Sequence, residues 1–188
     1  MSKELSDMTL EELWELFPIS LVEHDESWAQ QYEEMEAALR DLLAGLPVGR
    51  ISHVGSTAVK GIRAKSIVDV LVELPEGTDM GEAAGRLERG GFTRMSGKDC
   101  RISLNLGYTP TGFSGEVFHV HLRFAGDNDE LYFRDYLNAH PEAAAEYEAL
   151  KMSLCERFEH DRDGYTEAKS DFVGKCTAQA RVDYAGRY

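Results

Sequence analysis

The stretch Ser66-Ile67-Val68-Asp69-Val70-Leu71-Val72-Glu73-Leu74 decides the fold of this chain. Apolar residues stand on both sides of the segment, which is typical of a strand inside a sheet that helices cover on both faces. Asp69 is a charge in the middle of this run, and a buried carboxylate is costly unless it meets a cation or a metal. The segment therefore predicts a central strand that carries either a buried ion pair, with Arg101 or Lys65, or a functional acid.

Hydrophobic periodicity predicts the elements on either side of this strand. Strands are expected at residues 50–54, 92–95, 101–108 and 116–124, with a hairpin loop at 109–115. Helices are expected at residues 10–17, from a capping box at Ser27 to Gly45, from Asp79 to Gly90, and through much of the chain after Pro141. We therefore predict an α+β fold, a mixed β-sheet with helices packed on it, as a single domain over residues 1–188.

Composition restricts the kinds of partner that the chain can have. The formal net charge of −14 disfavours a broad nucleic-acid surface. No apolar run reaches the length of a membrane span, and the N-terminus has no apolar signal core, so a cytoplasmic location is expected. Residues 50–68 contain four bases and no acid. Such a local excess of positive charge suits either a small anionic ligand or a solvated loop.

A glycine-serine turn follows the first predicted strand, in His53-Val54-Gly55-Ser56-Thr57. Glycine lets the backbone approach a ligand closely, and free N–H groups at the start of a helical turn attract phosphate oxygens. The same residues would also serve as a simple helix cap. We assign Gly55, Ser56 and Thr57 to phosphate binding.

Two histidines, His119 and His121, alternate along the last predicted strand and so share one face with Arg123. If this strand joins the sheet that contains Asp69, the acid and both imidazoles open onto one site. We assign Asp69, His119 and His121 as catalytic and metal-binding residues. Further phosphate contacts are assigned to the basic residues Lys65, Arg101 and Arg123.

Five segments together resemble the GrpB family, in the right order over about residues 19–175. They are residues 23–28 (EHDESW), 52–59 (SHVGSTAV), 64–72 (AKSIVDVLV), 133–141 (FRDYLNAHP) and 165–173 (YTEAKSDFV). The resemblance implies a nucleotidyltransferase-like fold, in which a Gly-Ser turn precedes a strand with metal-binding acids. It implies that Gly55 and Ser56 hold nucleotide phosphates and that Asp69 binds Mg²⁺ or Mn²⁺. Some similar domains are fused to dephospho-CoA kinase, which indicates nucleotide or coenzyme A metabolism.

The chain departs from that pattern at Leu71, where the superfamily commonly has a second acid. Three functions therefore stay open. The first is a metal-dependent nucleotidyl or phosphoryl transferase that acts on a small molecule, and the second is a non-catalytic module that binds a nucleotide or another phosphate-bearing molecule. The third is a different metal chemistry, with zinc or manganese held by Asp69, His119, His121 and His53.

Overall fold

The computed structural model describes residues 3–98 and 100–188, and one five-stranded mixed sheet organises it. The strands are β1 (Arg50–Val54), β2 (Val68–Leu74), β3 (Thr93–Lys98), β4 (Arg101–Thr109) and β5 (Gly112–Phe124), in the spatial order β1-β2-β5-β4-β3. Strands β2 and β5 pair in parallel, and the other neighbours are antiparallel. The helices are α1 (Leu10–Leu16), α2 (Ser27–Leu42), α3 (Met80–Arg89), α4 (Asp129–Ala139), α5 (Pro141–Arg157), α6 (Arg162–Glu167) and α7 (Ser170–Asp183). The predicted α+β architecture is confirmed.

Strand β2 is an interior strand between β1 and β5, as its apolar composition predicts. Its even-numbered residues, from Val68 to Leu74, join the main core, and helices α2 and α3 pack on this face of the sheet. Trp28 and Leu39 of α2 and Leu87 of α3 are fully buried there. This face is closed by ordinary apolar packing.

The other face of the sheet carries Asp69, Leu71 and Glu73, which point away from the main core because side chains alternate along a strand. Helix α4 contributes Leu131 to a small apolar cluster with Val54 and Leu71. Helix α4 also packs against α7 and α5, so the C-terminal helices stand over this face. Polar strand residues and helices thus enclose a space on this side of the sheet.

Two local predictions are wrong. Helix α2 begins at Ser27, but no capping box forms there, because Asp25 Oδ1 accepts the Ser27 backbone N–H at 2.8 Å instead. The hairpin between β4 and β5 is also tighter than expected, since Thr109 pairs with Gly112 and strand β5 starts before residue 116. The alternation of apolar residues weakens near the turn, so the pattern alone placed the start of β5 too late in the sequence.

The starts of helices α3 and α5 agree with the positions predicted from the sequence. Asp79 caps α3 by accepting the backbone N–H of Glu82, and Pro141 is the first residue of α5. Within residues 3–98 and 100–188, no helix is both long and apolar enough to cross a membrane.

Candidate functional site

The turn after β1 approaches β2 so closely that only glycine fits at its first position. Gly55 has a φ of +73°, and an added Cβ would overlap the carboxylate of Asp69. Val54 pairs with Asp69 across the two strands, which sets this distance. Ser56 begins a short 3-10 turn immediately afterwards. The Gly-Ser turn and the strand acid, predicted separately from the sequence, are therefore direct neighbours.

The two predicted imidazoles converge on the same carboxylate. Asp69 pairs with His119 in the parallel register of β2 and β5, and His121 follows two residues later on the same face. His119 Nδ1 and His121 Nε2 each lie 3.3 Å from Asp69 Oδ1. The structure thus places Asp69, His119 and His121 on one face of the sheet, as the sequence predicts for strands in a single sheet. Neither Arg101 nor Lys65 forms an ion pair with Asp69, which was the other interpretation of the buried acid.

Hydrogen bonds hold the His119 ring at both of its nitrogens. Arg162 Nη1, which can only donate, lies 3.0 Å from the Tyr108 hydroxyl oxygen. That hydroxyl also lies 2.8 Å from His119 Nε2, within hydrogen-bond distance. The His119 ring is thus held between Tyr108 at Nε2 and Asp69 at Nδ1.

His121 is held in a similar way, between Asp69 and the Ser103 hydroxyl at 3.2 Å from Nδ1. Burial by itself raises the pKa of Asp69, but the hydrogen bonds and charge of His119 and His121 outweigh it and hold that pKa well below its usual range. Asp69 is thus an ionised acceptor for two ring N–H groups.

A cavity of about 510 Å³ opens beside this cluster. Its lining includes Gly55, Ser56, Asp69, His119 and His121. Helical residues complete the lining, among them Phe133 of α4, Tyr147 and Lys151 of α5, Tyr165 of α6, and Lys169, which directly precedes α7. The space is large enough for a small organic ligand.

Three lysines line the cavity, and none of them has a carboxylate at ion-pair distance within the described part of the chain. Burial and the neighbouring Lys169 lower the pKa of Lys65 to about 8. Burial lowers the pKa of Lys169 to about 8, and burial together with Lys169 lowers that of Lys151 to about 7. Desolvation and mutual repulsion of ammonium groups both disfavour the charged form. An anion in the cavity would relieve both costs.

Lys151 is the most deeply placed of the three, with only 2% of the residue exposed. Its ammonium donates to the backbone carbonyl of Arg63 and lies 4.9 Å from the centre of the Tyr147 ring. Lys65 and Lys169 both lie over the ring of Tyr165, at 5.1 and 4.2 Å from its centre. Neutral carbonyl and aromatic groups hold these cations in place without neutralising them.

Most of the predicted site residues meet at this cavity: Gly55, Ser56, Lys65, Asp69, His119 and His121. Thr57 does not line it, because its buried side chain bonds to His53 and to the carbonyl of Ile67. The structure also does not bring Arg101 and Arg123 there. Arg101 pairs with Asp127 at the surface, and Arg123 is buried against backbone carbonyls.

His53 lies on the opposite face of the sheet from Asp69. It pairs with Val70 of the main core, and its ring stacks on Tyr32 of α2 with centres 5.0 Å apart. Burial lowers the pKa of His53 to about 4. The four-residue zinc or manganese set that includes His53 is therefore not assembled.

The residues present fit magnesium poorly. Mg²⁺ prefers oxygen ligands in octahedral geometry, and Asp69 supplies one carboxylate beside two nitrogen donors. The position of the second acid holds Leu71, which is fully buried against Val54 and Leu131. Within the described residues, no group of three or more His, Cys, Asp or Glu side chains is spaced to hold a metal ion. The metal assignment stays a prediction, and no step below depends on it.

Sequence reasoning missed Lys151 and Lys169. Each follows a buried tyrosine by four residues, as Tyr147-Lys151 and Tyr165-Lys169, and so lies on the apolar stripe of its helical segment. The sequence feature that could have identified them is a lysine on the apolar stripe of a helix. It points to a buried ammonium group, although it does not say what that group meets.

Comparison with known proteins gives one family. The sequence profile described as GrpB protein matches residues 18–179. A crystal structure of conserved protein GrpB from Enterococcus faecalis superimposes with a TM-score of 0.75 at 29% identity, and the match covers 88% of this chain and 99% of that one.

Curated relatives agree with this result. Glutamate-rich protein GrpB of Alkalihalophilus pseudofirmus is 35% identical over 82% of this chain and 91% of its own length. The UPF0157 protein PA4798 of Pseudomonas aeruginosa is 36% identical over 86% of this chain and 67% of its own length. A dephospho-CoA kinase of Mycolicibacterium paratuberculosis is 28% identical over 81% of this chain, which corresponds to 43% of the kinase.

Proposed function

This chain belongs to the GrpB family, and from that membership and its cavity we propose that it binds a phosphate-bearing small molecule. The observation that carries the proposal is the set of three cavity lysines without carboxylate partners among the described residues. In a protein of net charge −14, uncompensated ammonium groups in a cavity are costly unless an anion joins them.

The Gly55-Ser56 turn supports the same ligand class, since it lines the cavity beside the lysines. A serine hydroxyl and a glycine backbone are groups that phosphate oxygens approach closely. The partial match to a dephospho-CoA kinase is consistent with a ligand from nucleotide or coenzyme A metabolism. A cytoplasmic location stays the expected one.

Isothermal titration tests the binding proposal. Inorganic triphosphate and ATP are titrated into the protein at pH 7, with and without EDTA. We expect saturable binding that persists in EDTA, because lysines rather than a metal hold the phosphates. The absence of heat with either probe, from protein that unfolds cooperatively, would remove the proposal.

A second candidate function is phosphoryl or nucleotidyl transfer, and the Asp69-His119-His121 cluster favours it. Proton transfer by a positioned side chain contributes about 10²–10⁴-fold to a rate. Asp69 orients both imidazoles, and a ring nitrogen that loses its present partner can accept the proton of an attacking hydroxyl. The lysines would stabilise charge that develops on the phosphate oxygens.

Product analysis separates the two candidates. The protein is incubated with nucleoside triphosphates and a panel of small hydroxyl or amine acceptors, with and without Mg²⁺ or Mn²⁺, and products are followed by ³¹P NMR. Transfer that is lost in His121→Gln, with triphosphate binding retained, supports an enzyme. Binding without turnover in any combination supports the non-catalytic module.

A further inference from the structure

The phenylalanine and tyrosine rings of the cavity lining have little surface open to a ligand. Of its two imidazoles, His119 stacks on Tyr108 with ring centres 5.9 Å apart and meets His121 edge-on. Phe133, Tyr147 and Tyr165 line the cavity, yet they are only 9%, 5% and 1% exposed. Proteins that recognise a nucleobase by stacking present it with an accessible aromatic face. These three rings are instead part of the packed wall.

Their neighbours explain why the rings are covered. Tyr147 stacks on Phe172 with ring centres 5.4 Å apart, meets Phe133 edge-on at 5.2 Å, and has the ammonium of Lys151 above it at 4.9 Å. The Tyr165 ring carries the ammonium groups of Lys65 and Lys169. A base could stack here only after displacing these cations or repacking the helices.

The charged groups of the cavity lining differ in burial and in their ion-pair partners. Lys151 is buried, whereas Asp129 at the start of α4 is exposed. Glu130 lies beside Asp129 and also lines the cavity. Carboxylates repel phosphate and accept hydrogen bonds from hydroxyl groups. Both carboxylates already have arginine partners, since Arg181 Nε lies 2.5 Å from Asp129 Oδ1 and Arg123 Nη2 lies 3.7 Å from Glu130 Oε1. Phosphates are therefore favoured at the three lysines, which have no such partner among the described residues.

Resting on the proposed function, we infer that this cavity recognises the phosphate groups of its ligand and makes no stacking contact with a nucleobase. The ligand class is a compact phosphate ester or polyphosphate, and a nucleotide would bind through its phosphates alone. The nucleoside part of such a ligand adds little to the affinity.

Three probes test this inference by isothermal titration at pH 7 in EDTA: inorganic triphosphate, ATP and adenosine. We expect triphosphate and ATP to bind within about threefold of each other, and adenosine to give no binding at 1 mM. ATP that binds tenfold or more tightly than triphosphate, or measurable binding of adenosine, would overturn the inference while leaving the proposed function standing. If none of the three binds, the proposed function itself fails.

The affinities of a lysine variant for triphosphate and ATP provide an independent test. Lys151→Met removes a phosphate contact, so it should weaken triphosphate and ATP by the same factor. Lys175→Met, at an exposed position of α7, is the matched control and should change neither affinity. A Lys151→Met protein that loses triphosphate yet keeps ATP at wild-type affinity would show that the nucleoside is recognised, which contradicts the inference.

Discussion

At the residue scale, Lys151 combines deep burial with the absence of a carboxylate partner among the described residues. Lys151→Met should leave the free energy of unfolding within about 1 kcal/mol of wild type, since the lost hydrogen bond to Arg63 is offset by relief from burying a charge. Affinity for inorganic triphosphate should fall at least tenfold, or about 1.4 kcal/mol.

Urea denaturation and calorimetric titration measure the two effects on one preparation. Lys175→Met should match wild type in both. A Lys151→Met variant that binds triphosphate normally would show that this ammonium does not face the ligand.

Asp69 should give a stability difference that depends on pH. Its pKa is lowered in the folded state, so the stabilisation by its charge is present above the unfolded pKa, near 3.8, and is lost as the pH falls below it. Asp69→Asn should therefore destabilise the protein at pH 7 by about 1–3 kcal/mol, the usual range for hydrogen bonds to a charged group.

The gap between wild type and Asp69→Asn should then narrow when denaturation is repeated near pH 3. Asp171→Asn, at an exposed position in the first turn of α7, serves as the control and should show little difference at either pH. A gap that stays constant from pH 7 to pH 3 would mean that the two imidazoles do not stabilise the ionised carboxylate.

At the scale of elements, the segment after β1 contains two glycines with positive φ that can be compared. Gly55 and Gly61 have nearly equal φ values of +73° and +74°, but only at Gly55 does an added Cβ overlap Asp69, whereas Gly61 faces open space. Gly61→Ala should cost about 1–2 kcal/mol for the left-handed backbone alone. Gly55→Ala should cost more, because its ψ of −171° lies in a backbone region almost exclusive to glycine and because the turn and the carboxylate must separate. The separation should also weaken triphosphate binding.

Thermal unfolding measures the stability cost of each variant, and titration shows whether triphosphate affinity falls only in Gly55→Ala. Equal losses of stability, with triphosphate affinity unchanged in both variants, would show that the close approach of the turn to Asp69 has no part in ligand binding.

The sequence predicts the strands well, because alternation and apolar runs are local signals. Strand β2 and the shared face of His119 and His121 follow from a period of two along the chain. The parallel pairing that brings Asp69 beside His119 is not local, since the two residues are 50 positions apart. That part of the site depended on the assumption of one sheet, and the family resemblance supplied it.

The helical part of the site was harder to predict from the sequence. Lys65, Lys151 and Lys169 come from three segments, and helix packing rather than any spacing brings them to one cavity. The prediction also placed Arg101 and Arg123 near phosphate by charge alone. In the structure Arg101 pairs with Asp127, whereas Arg123 bonds to backbone carbonyls and lies 3.7 Å from Glu130. A count of charges does not reveal these partners.

At the scale of the whole molecule, an acidic protein that keeps several lysines in one cavity should couple anion binding to proton uptake. In the free protein the three lysines have pKa values of about 7 to 8, so at pH 8 a fraction of them is neutral. Bound phosphate favours the charged form and raises these pKa values, so the complex holds more protons. Affinity for triphosphate should therefore decrease as the pH rises from 7 to 9.

Titration at pH 8 in buffers of different ionisation enthalpy measures this uptake directly, and we expect about one to two protons per triphosphate bound. Lys151→Met should reduce the number of protons taken up by the amount that Lys151 contributes, whereas Lys175→Met should leave that number unchanged. Since exposed lysines stay protonated at pH 8, a surface patch would bind triphosphate with no uptake at all. Proton uptake thus distinguishes the buried cavity from nonspecific attraction, and its absence would place the bound anion outside the cavity.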